Sequence, residues 1–198
     1  MGVDSTILTK GFIRRAKKDP EAFGLLFDTY YLPIFGYILK RTANVDLSQD
    51  LTSETFFKAL KKFRQFKWRG ENSFGNWLFK IATNEINMYF RKNKKIISLD
   101  NEDYKLSERI PAPETSLPDS EIILAQKELS KKQEFLRVHK ELKKLKNEYQ
   151  TVIILKYLEK KKIEQISQIL EKPEGTIKSW IHRGLKELRE LLKNSETF

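Results

Sequence analysis

The stretch Lys58–Lys95, KALKKFRQFKWRGENSFGNWLFKIATNEINMYFRKNKK, decides how this chain folds. From Phe74 onward, Phe74, Trp77, Leu78, Ile81, Ala82, Ile86 and Tyr89 recur at helical spacing, and this apolar stripe predicts an amphipathic helix. Lys80, Asn84, Asn87 and Arg91 follow in steps of four, three and four and share a different face. Such a face offers cations for phosphates and amides for base edges, although a merely solvated face would look similar. The flanking loop FKWRGENSF favours the first reading, with Gly70, Asn72 and Ser73 to bend the chain and Trp68 and Arg69 presented on the bend. Across the stretch eleven Lys and Arg stand against only Glu71 and Glu85, interleaved with eight aromatic residues. Cations hold a phosphate backbone, and flat rings stack on unpaired bases. Trp77 and Tyr89 are expected in the core instead.

Composition sets outer limits. The 198 residues can form one large or two small domains, and a formal charge of +11 points to a polyanionic partner, nucleic acid or an acidic membrane surface. With no cysteine, disulfides and thiolate metal sites are excluded. No apolar run approaches a membrane span, and MGVDSTILTK lacks the order of a signal peptide. Met1-Gly2 with Thr6 matches a myristoylation pattern only loosely. The expected location is the cytoplasm, with no membrane insertion.

Upstream of the deciding stretch, Leu8, Phe12, Ile13 and Ala16 open an amphipathic segment, and Asp19-Pro20-Glu21 marks a helix start. Phe23, Leu26, Phe27, Tyr30, Ile34, Tyr37 and Ile38 continue at helical spacing, with Pro33 expected to kink or end the helix. Asn44-Val45-Asp46 reads as a turn, and Asp46 with Gln49 as a capping box. In the next helix Thr52, Phe56, Ala59, Leu60 and Phe63 align for burial. Asp50, Ser53 and Glu54 point elsewhere. Their carboxylates suit a helix dipole and a Lys58 ion pair, or an acidic docking patch, or a metal pair, for which no further ligand converges.

Downstream, SLDNEDYKLSERIPAPETSLPDSE is acidic and proline-punctuated, and reads as a linker, by default a solvated spacer. Helical periodicity returns near Ile122. Phe135, Leu142, Leu145, Tyr149, Val152 and Ile153 supply an apolar face. Ile163, Ile166, Ile169 and Leu170 then form a short helix, EKPEG a tight turn, and Ile177, Ile181, Leu185, Leu188 and Leu192 stripe a second helix. Two helices so joined are the helix-turn-helix pattern, whose second helix enters the major groove. Ser179, His182, Arg183 and Lys186 point away from the stripe, flanked by Lys178 and Trp180. Without companion ligands, His182 reads as a surface or phosphate contact; Trp180 packs at the rim or meets thymine methyls.

Together the two stretches resemble the extracytoplasmic-function class of bacterial RNA polymerase sigma factors over nearly the whole chain. The region-two pattern DLxQETF appears as DLTSETF from Asp50, WLxxIAxN as WLFKIATN at Trp77–Asn84, and the basic cluster as RKNKK at Arg91–Lys95. The region-four signature GTVKSRxxRAxxxLR appears as GTIKSWIHRGLKELR, Gly175–Arg189. The resemblance implies an all-α fold of two small helical domains: region two over residues 1–96, an acidic flexible linker over 97–127, and region four over 128–198. It implies docking of Asp50, Ser53 and Glu54 on core RNA polymerase. It further implies minus-ten capture and melting by Lys67, Trp68, Arg69, Asn72, Ser73, Phe74, Lys80, Asn84, Asn87 and Arg91. Gly175, Thr176, Lys178, Ser179, Trp180, His182, Arg183 and Lys186 would then read the minus-thirty-five element. No enzyme activity, cofactor or metal is implied; an anti-sigma partner is an open expectation.

Five positions depart from the family pattern: Ser53 for Gln, Trp180 for Arg, Ser167 for Ala, and Glu171-Lys172 for a glycine and an apolar residue in the turn. The residues alone also admit an autonomous helix-turn-helix regulator binding operators as a dimer, or, more distantly, a metal-dependent phosphodiesterase.

Overall fold

A computed structural model describes residues 9–97 and 138–195. The expected linker beyond Ile97, Leu8, Phe135 and the helical start near Ile122 lie outside the described residues. Among those described, every regular element is helical.

Helix α1 (Lys10–Ala16) is capped by Thr9, whose hydroxyl accepts from the Phe12 amide at 3.2 Å. Helix α2 (Pro20–Thr42) begins as the sequence predicts: Asp19 Oδ1 accepts from the Glu21 amide at 3.0 Å, and Pro20 takes the first helical position. A hydrogen bond from the Arg15 guanidinium holds the Asp19 carboxyl below its usual range. The expected break at Pro33 does not occur; α2 runs through it. An internal proline costs about 3 kcal/mol. Leu26, Tyr30, Ile34, Tyr37 and Ile38 are buried around it, each worth about 1.5–3 kcal/mol, so packing outweighs the lost bond. At 23 residues, with an 18-residue window of mean hydropathy 1.3, α2 also has the length and apolarity of a membrane span, contrary to the sequence expectation. Its buried stripe packs on α3 and α4 as a core helix does.

Helix α3 (Val45–Lys62) is capped by Asn44, whose Oδ1 accepts from the Leu47 amide at 2.8 Å, which replaces the expected Asp46–Gln49 box. Leu60, expected in the core, is 55% exposed, whereas Thr52, Phe56, Ala59 and Phe63 are buried as expected. A 3-10 turn, Phe63–Gln65, leads to the bend before α4 (Ser73–Ile97). Phe74, Phe66 and Tyr30 meet edge to face, with Trp77 tilted against Phe66 at 5.0 Å. These rings form the hub of the first module. Burial raises the Tyr30 phenol to about 12.

In the second module, residues 138–142 are helical (α5), followed by α6 (Asn147–Ile153), which continues as a π-helical turn, Ile154–Leu158. Helix α7 (Ile163–Leu170) and helix α8 (Glu174–Asn194) complete the helix-turn-helix. Gln165 reaches back to the Lys162 amide at 2.8 Å to start α7. The turn holds Glu171 at φ 52, left-handed backbone that favours glycine. The Ser167 hydroxyl donates to the Lys172 carbonyl at 2.6 Å, so this departure from alanine closes the turn. Gly184 lets α8 approach α6 closely, since a Cβ there would lie 2.9 Å from Tyr149 Cβ. The modules also touch each other: α7 packs on α4, and the π-helical turn packs on α2.

Candidate nucleic-acid interface

Three surfaces carry the residues singled out in the sequence. On α3, Asp50 and Ser53 are exposed and Glu54 is half-buried, one turn apart. Glu54 pairs with Lys58 at 3.1 Å, and Lys58 also reaches the buried Glu85 on α4 at 2.5 Å. That second contact is the main reason the Lys58 ammonium is raised above its usual value, with Glu54 adding to it. Phe57, 51% exposed, lies on the same side and carries the Lys61 ammonium 4.1 Å above its ring. The face is therefore acidic at one end and apolar at the other. Among the described residues no cluster of three or more His, Cys, Asp or Glu could hold a metal.

The bend and α4 form the second surface. Lys67, Arg69 and Asn72 are exposed, and Trp68 is half-buried against the core. Phe74 must be removed from the set of DNA contacts: at 1% exposure it is a core ring, fixed by Tyr30, Phe63, Phe66 and Trp77. Ser73 closes the bend, accepting from the Arg69 amide at 3.1 Å and donating to the Gly70 carbonyl at 2.6 Å. Its hydroxyl therefore shapes the loop. Trp77 and Tyr89, expected in the core, pack against it half-buried. On α4, Asn84 and Arg91 are exposed, and with Glu85, Asn87 and Met88 they line a shallow cavity of about 370 Å³. Its amides and guanidinium can hydrogen-bond a base edge or a phosphate. Lys80 and Asn87 are already engaged: Lys80 Nζ pairs with Glu171 at 2.7 Å, and Asn87 Oδ1 accepts from Asn147 at 2.8 Å.

The third surface is α8. Gly175, Lys178, His182, Arg183 and Lys186 are exposed along it, and Glu174 lies 3.6 Å from Lys178. Thr176, Ser179 and Trp180 are half-buried, with Trp180 packed on the core. The tryptophan therefore sits at the rim with limited freedom to reach a groove.

Sequence reasoning missed the seam between the modules. Arg41 is 2% exposed and donates to Gln150 and Asn147 of α6, with its Nε unpartnered. Burial lowers its pKa. Lys40 pairs with Glu159 at 2.8 Å, and His139 Nε2 bonds the Lys40 carbonyl at 2.6 Å. Buried Asn76 donates to Gln168 at 2.8 Å. Arg41 follows Ile34, Tyr37 and Ile38 at helical spacing; that position on an apolar stripe was the available signal.

Two family models match the chain, one in each module. Residues 26–96 match Sigma-70 region 2, and residues 135–188 match Sigma-70 region 4. The chain is 31% identical over 194 residues to ECF RNA polymerase sigma factor SigW of Bacillus subtilis, covering 95% of this chain and 98% of that protein. It is 29% identical over 182 residues to ECF RNA polymerase sigma-E factor of Haemophilus influenzae, covering 89% and 88%. The fold resembles sigma factor RpoE, solved with anti-sigma factor NepR from Bartonella quintana, at TM-score 0.63 and 24% identity over 87% of this chain and 98% of that one. It also resembles CnrH, solved with the cytosolic domain of CnrY, at TM-score 0.65 and 18% identity over 98% and 99%.

Proposed function

Since this chain belongs to the extracytoplasmic-function sigma factors of bacterial RNA polymerase, non-enzymatic initiation factors, we propose how its three surfaces divide promoter work. The acidic face of α3, with Asp50, Ser53 and Glu54, docks on core RNA polymerase. The bend and α4 take the minus-ten element: Lys67, Arg69, Lys80 and Arg91 hold phosphates, while Trp68, Asn72, Asn84 and Asn87 hold an extruded base. Extruding a base costs a few kcal/mol of unstacking, which hydrogen bonds and ring contacts in a pocket offset. Helix α8 enters the major groove of the minus-thirty-five element through Lys178, Ser179, His182, Arg183 and Lys186. Gly175 and Thr176 bring its first turn close to the backbone.

The domains follow the same division: region two over 1–96, an acidic linker over 97–127, and region four over 128–198. The working compartment is the cytoplasm, where polymerase and promoter meet. The resemblance to sigma factor RpoE, solved with the anti-sigma factor NepR, supports regulation of this chain by a protein of that kind. Membership spanning both modules displaces the operator-dimer and phosphodiesterase readings.

The observation that carries the proposal is the Asp50–Ser53–Glu54 face, exposed at Asp50 and Ser53, in a chain that matches both sigma regions in order. Tagged protein purified from its host should bring the core polymerase subunits with it. Recovery without them, from cells expressing the chain at its normal level, would refute the docking assignment.

A further inference from the structure

We infer that α1 and the end of α3 form a further single-strand site, in which Arg14, Lys18 and Arg64 hold phosphates of the unwound strand downstream of the minus-ten element. The inference rests on the bend and α4 being the minus-ten face. Residues 9–18 hold five Lys and Arg and residues 55–70 hold six, and neither stretch contains an Asp or Glu. Lys10 and Arg14 on α1 and Lys18 just past its end follow in steps of four, and all three are exposed. Among the described residues, Arg14, Lys18 and Arg64 pair with no carboxylate. Like charges gathered without counter-charge repel one another, and a bound polyanion relieves that repulsion.

The two elements are clipped together. Lys17 is half-buried, and its ammonium donates to the Phe66 carbonyl at 2.6 Å and the Arg64 carbonyl at 3.2 Å. The end of α1 is thereby held beside the chain that leads into the bend. Carbonyls satisfy the hydrogen bonds of an ammonium without cancelling its charge. Lys18 and Arg64 then line one open cavity of about 240 Å³. Among the described residues its lining includes one carboxylate, Asp19, which Arg15 takes at 2.8 Å. Leu60, 55% exposed, gives the cavity an apolar wall. Cations beside an apolar wall suit an unpaired strand, whose sugars and base faces are open, better than a duplex rimmed by phosphate.

The helix order supplies the direction. Tyr30 meets Phe74, Tyr37 bonds Thr83, and Arg41 lies over Phe90, so α4 runs alongside α2 in the same sense. The chain leaves the far end of α4 toward region four, the upstream grip. The bend at its near end therefore faces downstream, and α1 lies at that end.

The test compares the full chain with the triple variant Arg14→Gln, Lys18→Gln, Arg64→Gln, in which Lys17 is kept as the clip. Anisotropy follows binding of a dye-labelled oligothymidylate of about 20 nucleotides across a salt series. Each single-strand phosphate contact adds about 0.7 to the slope of log K against log salt, so losing three should flatten the slope by about 2 and weaken binding about 100-fold at about 0.1 M salt. The charge-keeping variant Arg14→Lys, Lys18→Arg, Arg64→Lys should retain most of the slope. Lys140→Gln with Lys160→Gln and Arg189→Gln removes the same charge from exposed positions of the second module, and should change the slope less than half as much. An equal change would show that net charge alone is felt, and would overturn the site. Equal losses on a duplex of the same length would overturn the single-strand assignment. Because the three side chains are exposed, the thermal midpoint should hold; a fall alongside affinity would assign them to the fold instead.

Placement is read in the holoenzyme. Gly11→Cys, exposed on α1 of a chain with no other cysteine, carries an iron chelate whose hydroxyl radicals cut nearby DNA. On a promoter whose start is mapped from this holoenzyme's own transcripts, cuts should fall on one strand, between the minus-ten element and the start. Cuts upstream of that element, or none, would overturn the placement. Failure of the minus-ten reading shows separately: Lys67→Gln with Arg69→Gln would leave strand opening unchanged, while the slope and affinity results for α1 still stood.

Discussion

Reversing both carboxylates on α3, Asp50→Lys with Glu54→Lys, should separate docking from folding. Asp50 is exposed, and the ion pair of Glu54 is with Lys58, one turn away at 3.1 Å. An exposed pair at that spacing contributes about 0.3–0.5 kcal/mol, and the like-charge pair created costs a similar amount. Lys58 keeps its 2.5 Å contact with Glu85 on α4. The stability loss should therefore total about 1 kcal/mol, or a fall of about 2–4 °C in thermal midpoint for a chain of this size. At the polymerase surface the same change inverts two contacts. Taking about 1.5 kcal/mol for each, the low end for close charge pairs across an interface, affinity should drop by about 3 kcal/mol, or about 100-fold in Kd. Circular dichroism melting and titration of dye-labelled protein with core polymerase read the two effects separately. A fall in affinity under threefold with an intact fold would refute the docking role. A midpoint lowered by more than about 10 °C would show that these carboxylates serve the fold.

Four further outcomes are expected. Gly184→Ala places a methyl 2.9 Å from Tyr149 Cβ and 3.0 Å from Ile153 Cδ1, an overpacking of about 1–3 kcal/mol that a helix-propensity gain of about 1 kcal/mol offsets only in part; an unchanged or higher melting midpoint contradicts this. His139 is held below its ordinary pKa by burial first, with Lys143 and Arg41 opposing its protonation and the Lys40 carbonyl favouring it. The unfolded chain therefore takes up that proton first. The stability from this residue is complete above about pH 6.5 and falls as pH drops through the window down to the folded-state pKa. His139→Gln should flatten that slope in denaturant titrations between pH 7 and 5.5, and an unaltered slope sinks the assignment. Asn84→Ala should reduce strand opening more than closed-complex binding, read by permanganate reactivity against gel retention. Arg183→Ala should lower duplex affinity with a shallower salt slope. Equal losses for the first, or an unchanged slope and sequence preference for the second, exclude those contacts.

The helices were legible because apolar residues recur at helical spacing and because local signals, such as Asp19-Pro20 and the Glu171–Gly175 turn, sit where helices start and stop. Errors arose where one position satisfies two local rules or where packing decides. Asn44 and Asp46 both suit a helix start, and the backbone selects Asn44. Pro33 should break a helix, yet the buried residues on either side carry α2 across it. Phe74 and Trp68 look alike in a basic aromatic stretch; only the surrounding rings tell that the first is core and the second a surface edge. The face formed by Lys80, Asn84, Asn87 and Arg91 followed from spacing alone. Its occupation by Glu171 and Asn147 did not, because contacts about 60 to 90 residues apart leave no local periodicity. The buried polar seam at Arg41 and His139 was hidden for the same reason.

The central claim is that one helical module opens the promoter while the other grips it upstream, both delivered by core polymerase. Its most direct test is transcription by purified core polymerase on sheared host genomic DNA, with and without the purified chain, reading the 5′ ends of the products. The account predicts new start sites that appear only with the chain and share two upstream sequence elements at a fixed spacing. The same start sites, in the same yield, from core polymerase alone would contradict it.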